Sequence, residues 1–121
     1  MAYDSAAYGM RREESTPNLS IVSSASAAKF LMFQKTRLKA VHALVVSAGT
    51  DTAAGVDIYV GTASVGALTY GTSAAGVVKD TTLLNAAVAA GSYIELKGKA
   101  TSEAVISVVL EHQVDPDAVV T

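Results

Sequence analysis

Two six-residue units, Gly61-Thr62-Ala63-Ser64-Val65-Gly66 and Gly71-Thr72-Ser73-Ala74-Ala75-Gly76, have the glycine spacing of a phosphate-cradling loop. A loop of that kind needs a lysine after its last glycine to carry charge to the phosphates, and then a hydroxyl to ligate magnesium. Here Gly66 is followed by Ala67-Leu68 and Gly76 by Val77-Val78. Neither unit leads into an amphipathic helix whose N-terminus could hold an anion. The spacing instead predicts two β-turns flanking a short strand, with glycines at positive φ. Ser73 misses the nucleophile elbow Gly-x-Ser-x-Gly by one residue and lacks its strand-turn-helix setting. His42 and His112 fall on mainly apolar faces of long predicted strands, where an imidazole is expected to pack and hydrogen-bond. Two imidazoles without a third ligand make a poor zinc site. Glu111, Asp115 and Asp117 cluster late in the chain without the glycine and distal glutamate of a calcium loop. No acid pair stands out as a glycosidase couple. The chain is therefore expected to be no enzyme and to need no cofactor or metal.

The elements that carry these residues read as strands. Phe30 to Phe33 is a short apolar run, and a turn over Gln34-Lys35-Thr36 leads to the run Arg37 to Val46. On that run Leu38, Ala40, His42, Leu44 and Val46 share one face under strict alternation, and Lys39, Val41, Ala43 and Val45 share the other. Both faces are largely apolar, so the strand is expected at the centre of a sheet. In a two-layer protein one of them needs cover from another subunit, and the face of Val41, Ala43 and Val45 is the expected interface. Further strands are predicted over 56–60, 67–70, 77–79, 93–97 and 104–114, the last alternating without a break. The segment 83–90, LLNAAVAA, has helical propensity but is too short to be a stable helix alone, so an irregular connection or one helical turn is expected. Short strands separated by Gly/Ser/Thr turns predict an all-β fold, an antiparallel β-sandwich of jelly-roll-like form.

Residues 1–27 show no period. They carry Tyr3, Tyr8 and the charge cluster Arg11-Arg12-Glu13-Glu14, then a Ser/Ala-rich stretch. They read as an extended N-terminal arm that orders on a partner, with Tyr3, Tyr8, Arg11 and Arg12 as its anchors, since aromatics and arginines dominate interface energetics. The sandwich domain is expected over 28–117, and 118–121 form a C-terminal tail.

Composition agrees with one packed domain of low charge: of 121 residues half are hydrophobic and 17% charged, with a net charge of −2. No basic stripe tracks a nucleic-acid backbone, so direct DNA or RNA binding is not expected. Cysteine is absent, which removes disulfides, thiolate zinc sites and thiol nucleophiles. No apolar run approaches the roughly 20 residues that cross a bilayer, and the N-terminus lacks an apolar signal core. A soluble chain without membrane partners is expected.

The order of KTRLKAVHALVVSAGT, VDIYVGTASVGALTYGTSAAG, VAAGSYIELKGKA and the closing strand AVISVVLEHQVDP, behind a polar arm, resembles the small β-sandwich cement or decoration proteins of tailed bacteriophage heads. The resemblance covers about residues 29 to 115. It implies a virion protein with no active site, made in the host cytoplasm and placed on the capsid surface. Its implied partner is the major capsid protein at capsomer junctions, commonly as a homo-trimer, and the arm would lace onto neighbouring subunits. Two other classes follow from the residues. A tail or receptor-binding module would show an exposed aromatic cluster, for which only Tyr59, Tyr70 and Tyr93 are available, and a small β-scaffold enzyme would need a convergent His/carboxylate pocket.

Overall fold

The computed structural model describes residues 12–99 and 103–114. Within them the chain forms nine strands: β1 (Arg12–Ile21), β2 (Ser26–Leu31), β3 (Thr36–Ser47), β4 (Gly55–Val60), β5 (Ala63–Thr69), β6 (Val78–Asp80), β7 (Ala86–Val88), β8 (Tyr93–Gly98) and β9 (Ala104–Val114). They make two antiparallel sheets. Sheet A has the order β1-β9-β3-β6, with β7 also on β3, and sheet B the order β2-β8-β4-β5. Apart from the β4–β5 hairpin and the β6–β7 step, every connection passes from one sheet to the other. With β6 and β7 taken as halves of one edge, this is the strand order of a jelly roll, which pairs strands distant in sequence through nested Greek keys.

Strand β9 follows the expected alternation. Ile106, Val108, Leu110 and Val114 turn into the sandwich and are buried, while Ser107, Val109, Glu111 and Gln113 on the other face are half-buried. It pairs with β3 along nearly its whole length, so β3 is central as expected. The faces of β3 are not those of strict alternation. The register with β9 shifts between Leu38 and Ala40, a bulge that inserts one residue and reverses the phase of everything after it. Thr36, Leu38 and Ala40 point inward before it, and Val41, Ala43 and Val45 point inward after it. Val41, Ala43 and Val45 belong to the core cluster with Ile58, Leu96 and Ile106. They are therefore not an interface; the residues that β3 turns outward are Arg37, Lys39, His42, Leu44 and Val46.

The expected arm is also corrected. From Arg12 it is a strand, β1, which pairs with β9 and forms one edge of sheet A, and β2 begins at Ser26, so a boundary at residue 27 falls inside a strand. The register of β1 breaks between Thr16 and Leu19, around Pro17 and an Asn18 at φ 53°, where the Asn18 amide donates to Ser107 Oγ at 3.2 Å. An edge strand tolerates proline, and a kinked edge resists pairing with another chain. Ile21 anchors this strand in the core.

The opposite edge is interrupted. Val45 N–H donates to the Val77 carbonyl at 2.9 Å and Gly76 N–H to the Val45 carbonyl at 2.8 Å. β6 then pairs with His42–Leu44 and β7 with Thr36–Leu38. Between them Thr81 N–H donates to the Val41 carbonyl and Leu84 N–H to the Lys39 carbonyl. Segment 83–90 is thus no helical turn: its Val88 is fully buried, and the edge of β3 supplies its backbone partners. In the former phosphate-loop units, Gly61, Gly71 and Gly76 take positive φ, as expected of turns. Gly66 instead lies inside β5, where a Cβ would come 2.7 Å from Leu84 Cδ2.

Candidate interaction face

The sandwich presents two outer sheet faces of different character. On sheet A the outward residues of β3 run from basic to apolar: Arg37 and Lys39, then His42, then Leu44 and Val46. Register places Leu44 between Val78 on β6 and Ser107 on β9. Leu44, Val46 and Val78 are 41%, 40% and 57% exposed, respectively, and together form an uncovered apolar strip on a strand that local packing alone would bury only on its other side.

The basic end of this face is tied down. Lys39 Nζ donates to Asn85 Oδ1 at 2.6 Å and Arg37 Nη1 to the Asn85 carbonyl at 3.3 Å. In the middle, His42 stands between two carboxylates from the flanking strands, with Nδ1 2.5 Å from Asp80 Oδ1 and Nε2 2.9 Å from Glu111 Oε2. The hydrogen bonds to Glu111 and Asp80 raise its pKa above the ordinary imidazole value, against a smaller opposing effect of burial. The carboxylates lie on opposite ring nitrogens and so do not converge on a common point. Among the described residues no group of three or more His, Asp or Glu side chains is placed to hold a metal ion.

Sheet B's outer face satisfies itself. Tyr59 and Tyr93 are each covered by a lysine, Lys97 at 5.1 Å and Lys29 at 5.0 Å from the ring centres. Lys29 also approaches Glu95 at 3.9 Å, and Glu95 is buried beneath these side chains. Cation–π contacts of this kind stabilise by roughly 0.5–1 kcal/mol at exposed sites. Tyr70, the third tyrosine of the expected aromatic cluster, is buried in the core.

A cavity of about 350 Å³ opens at one end of the sandwich, with Arg12, Glu14, Phe33 and His112 in its wall. Leu31 and Phe33 at its rim are 55% and 83% exposed. His112 is buried there, and its Nε2 makes no hydrogen bond, Glu14 Oε1 standing 3.8 Å away. Burial lowers its pKa, so the native ring is neutral. The two histidines serve different faces, since register sets His42 opposite Val109 and His112 opposite Leu38.

Of the expected arm anchors, Arg12 is the exposed first residue of β1, and Tyr3, Tyr8 and Arg11 lie outside the described residues, as do Asp115, Asp117 and the tail 118–121. Sequence reasoning missed the outward set Leu44, Val46 and Val78 because the bulge reverses the phase. The one available signal was the adjacent pair Ala40-Val41 on a strand with two apolar faces. The His42–Asp80–Glu111 contacts join residues far apart in the chain, and only the strand order brings them together. Among the described residues no helix is long and apolar enough to cross a membrane. No protein-family model, curated protein or solved structure matches the chain.

Proposed function

We propose that this chain is a non-catalytic structural protein of a tailed-phage virion, a cement or decoration protein that binds the outside of the head at capsomer junctions and stabilises the capsid. The observation that carries the reading is the apolar strip of Leu44, Val46 and Val78 in the middle of an otherwise ordered sheet face. Contiguous exposed apolar side chains rimmed by polar ones mark surfaces that are covered in an assembly. The jelly roll fits as an analogy of architecture, since viral capsid domains often use it, and a fold by itself assigns no function.

In this reading the chain forms a homo-trimer. A cyclic trimer needs two different patches per subunit, one meeting the other on the next copy. Two exposed apolar patches are present, the strip on sheet A and the Leu31–Phe33 rim. Residues ahead of β1, with Tyr3, Tyr8 and Arg11, and Arg12 itself, supply contacts to the major capsid protein. The covered tyrosines of sheet B do not favour a tail or receptor-binding role.

The test is direct. Purified protein added to expanded heads is expected to bind and to raise the temperature at which they rupture. Binding confined to tails, or none to heads, overturns the proposal.

A further inference from the structure

The geometry points to a protonation-dependent clamp: His42 fastens the interrupted edge of sheet A, residues 77–84, to the body of the sheet when its ring is doubly protonated, and releases it when the ring is neutral. The inference rests on the fold and not on the proposed virion role.

Both ring nitrogens of His42 face carboxylate oxygens, Asp80 on the edge strand β6 and Glu111 on the central strand β9. An ionised carboxylate only accepts hydrogen bonds, and a neutral imidazole has one donor and one acceptor. The doubly protonated ring alone can donate to both. Loss of one proton turns one contact into two acceptors face to face at hydrogen-bond distance. Other charges near the ring act in the same sense. Glu13 on β1 pairs with Glu111 in the β1–β9 register, adding negative charge on that side. Lys39 on β3 is engaged with Asn85, and Lys79 is paired with Ala43 on the opposite side of the sheet. The hydrogen bonds from Glu111 and Asp80 accordingly raise the ring's pKa.

The clamp matters at this edge because little else holds it. β6 contributes a ladder of three residues, followed by isolated bonds at Thr81 and Leu84. Edges with few ladder bonds open locally before the whole protein does. Because the folded pKa lies above the unfolded value, the contribution is complete below about pH 6.5 and is lost as pH rises through the raised native value. Loosening also moves Val78, so the apolar strip changes shape with the edge.

Hydrogen exchange of residues 77–84, corrected for intrinsic rates between pH 5.5 and 9, tests this on the whole chain, with the β4–β5 hairpin as internal reference. Opening of 77–84 is expected to increase with pH, by about tenfold for each unit by which the native pKa exceeds the unfolded one, while the hairpin stays unchanged. His42→Gln is expected to abolish the dependence. Asp80→Asn, which leaves the ring in place, is expected to move the NMR titration midpoint of His42 downward and to shrink the pH effect. Exchange of 77–84 that is flat with pH in the unaltered protein overturns the clamp. So does a pH dependence retained in either variant, or a His42 midpoint unmoved by Asp80→Asn.

Discussion

The two outer faces of the sandwich are built on the same kind of scaffold and finish it in opposite ways. Sheet B covers its tyrosines with Lys29 and Lys97 and pairs Lys29 with Glu95. Each apolar ring surface there already has a partner from its own chain. Sheet A places Leu44, Val46 and Val78 outward with nothing over them, beside an edge held by short ladders and a charged clamp. A sheet face that satisfies itself gains little from a neighbour, whereas one that leaves apolar area in water gains about 25 cal/mol for each Å² that a neighbour covers. The difference assigns sheet A to assembly and sheet B to solvent.

The largest expected effect comes from removing the strand that completes sheet A. A chain starting at Ala28 lacks β1 and with it Ile21, uncovering the inner face of β9. It is expected not to fold, as read by circular dichroism and thermal unfolding, whereas a chain starting at Arg12 keeps every described strand and is expected to fold. A stable protein from Ala28 would return β1 to the status of an arm and remove one edge from the comparison.

Val45→Asp and Leu44→Asp change neighbouring residues on opposite sides of β3. Val45 is 1% exposed, so an aspartate there buries a charge without a partner and is expected to cost about 4 kcal/mol or more in chemical denaturation. Leu44→Asp is expected to change stability by less than about 1 kcal/mol. Equal losses would mean that the bulge does not set the phase of the strand and that the strip is not outward.

That bulge is also where the sequence stopped being readable. Strand β9 was legible to its ends because alternation ran unbroken from Ala104 to Val114. In β3 the same rule assigned Val41, Ala43 and Val45 to the wrong side, since periodicity carries no mark of an inserted residue. β1 went unseen for a different reason: an edge strand that exposes nearly all its residues and contains Pro17 has no need of a pattern. β7 lay in a stretch whose alanines favour helix, and tertiary pairing with β3 overrode that propensity. The turn role of Gly61, Gly71 and Gly76 was legible from residue type, and the strand position of Gly66 was not. Nothing local could join His42 to Asp80 and Glu111, because only the strand order brings β6 and β9 to either side of β3.

On sheet B the expected effect is smallest. Lys97→Ala removes the cation over Tyr59 and is expected to cost roughly 0.5–1 kcal/mol of stability, with association unchanged. A marked loss of association from this variant would place a partner on sheet B and reverse the assignment of the two faces.

The most direct measurement of the central claim is sedimentation equilibrium at high micromolar concentration of the unaltered protein, Val78→Asp and Lys97→Asp, each first shown to be folded. The first and third are expected to sediment as trimers. Val78→Asp is expected to be monomeric, because a charge buried in the strip weakens each contact by several kcal/mol, a hundredfold or more in affinity at about 1.4 kcal/mol per tenfold. An unaltered protein that stays monomeric, or a Val78→Asp trimer as stable as the original, contradicts the account.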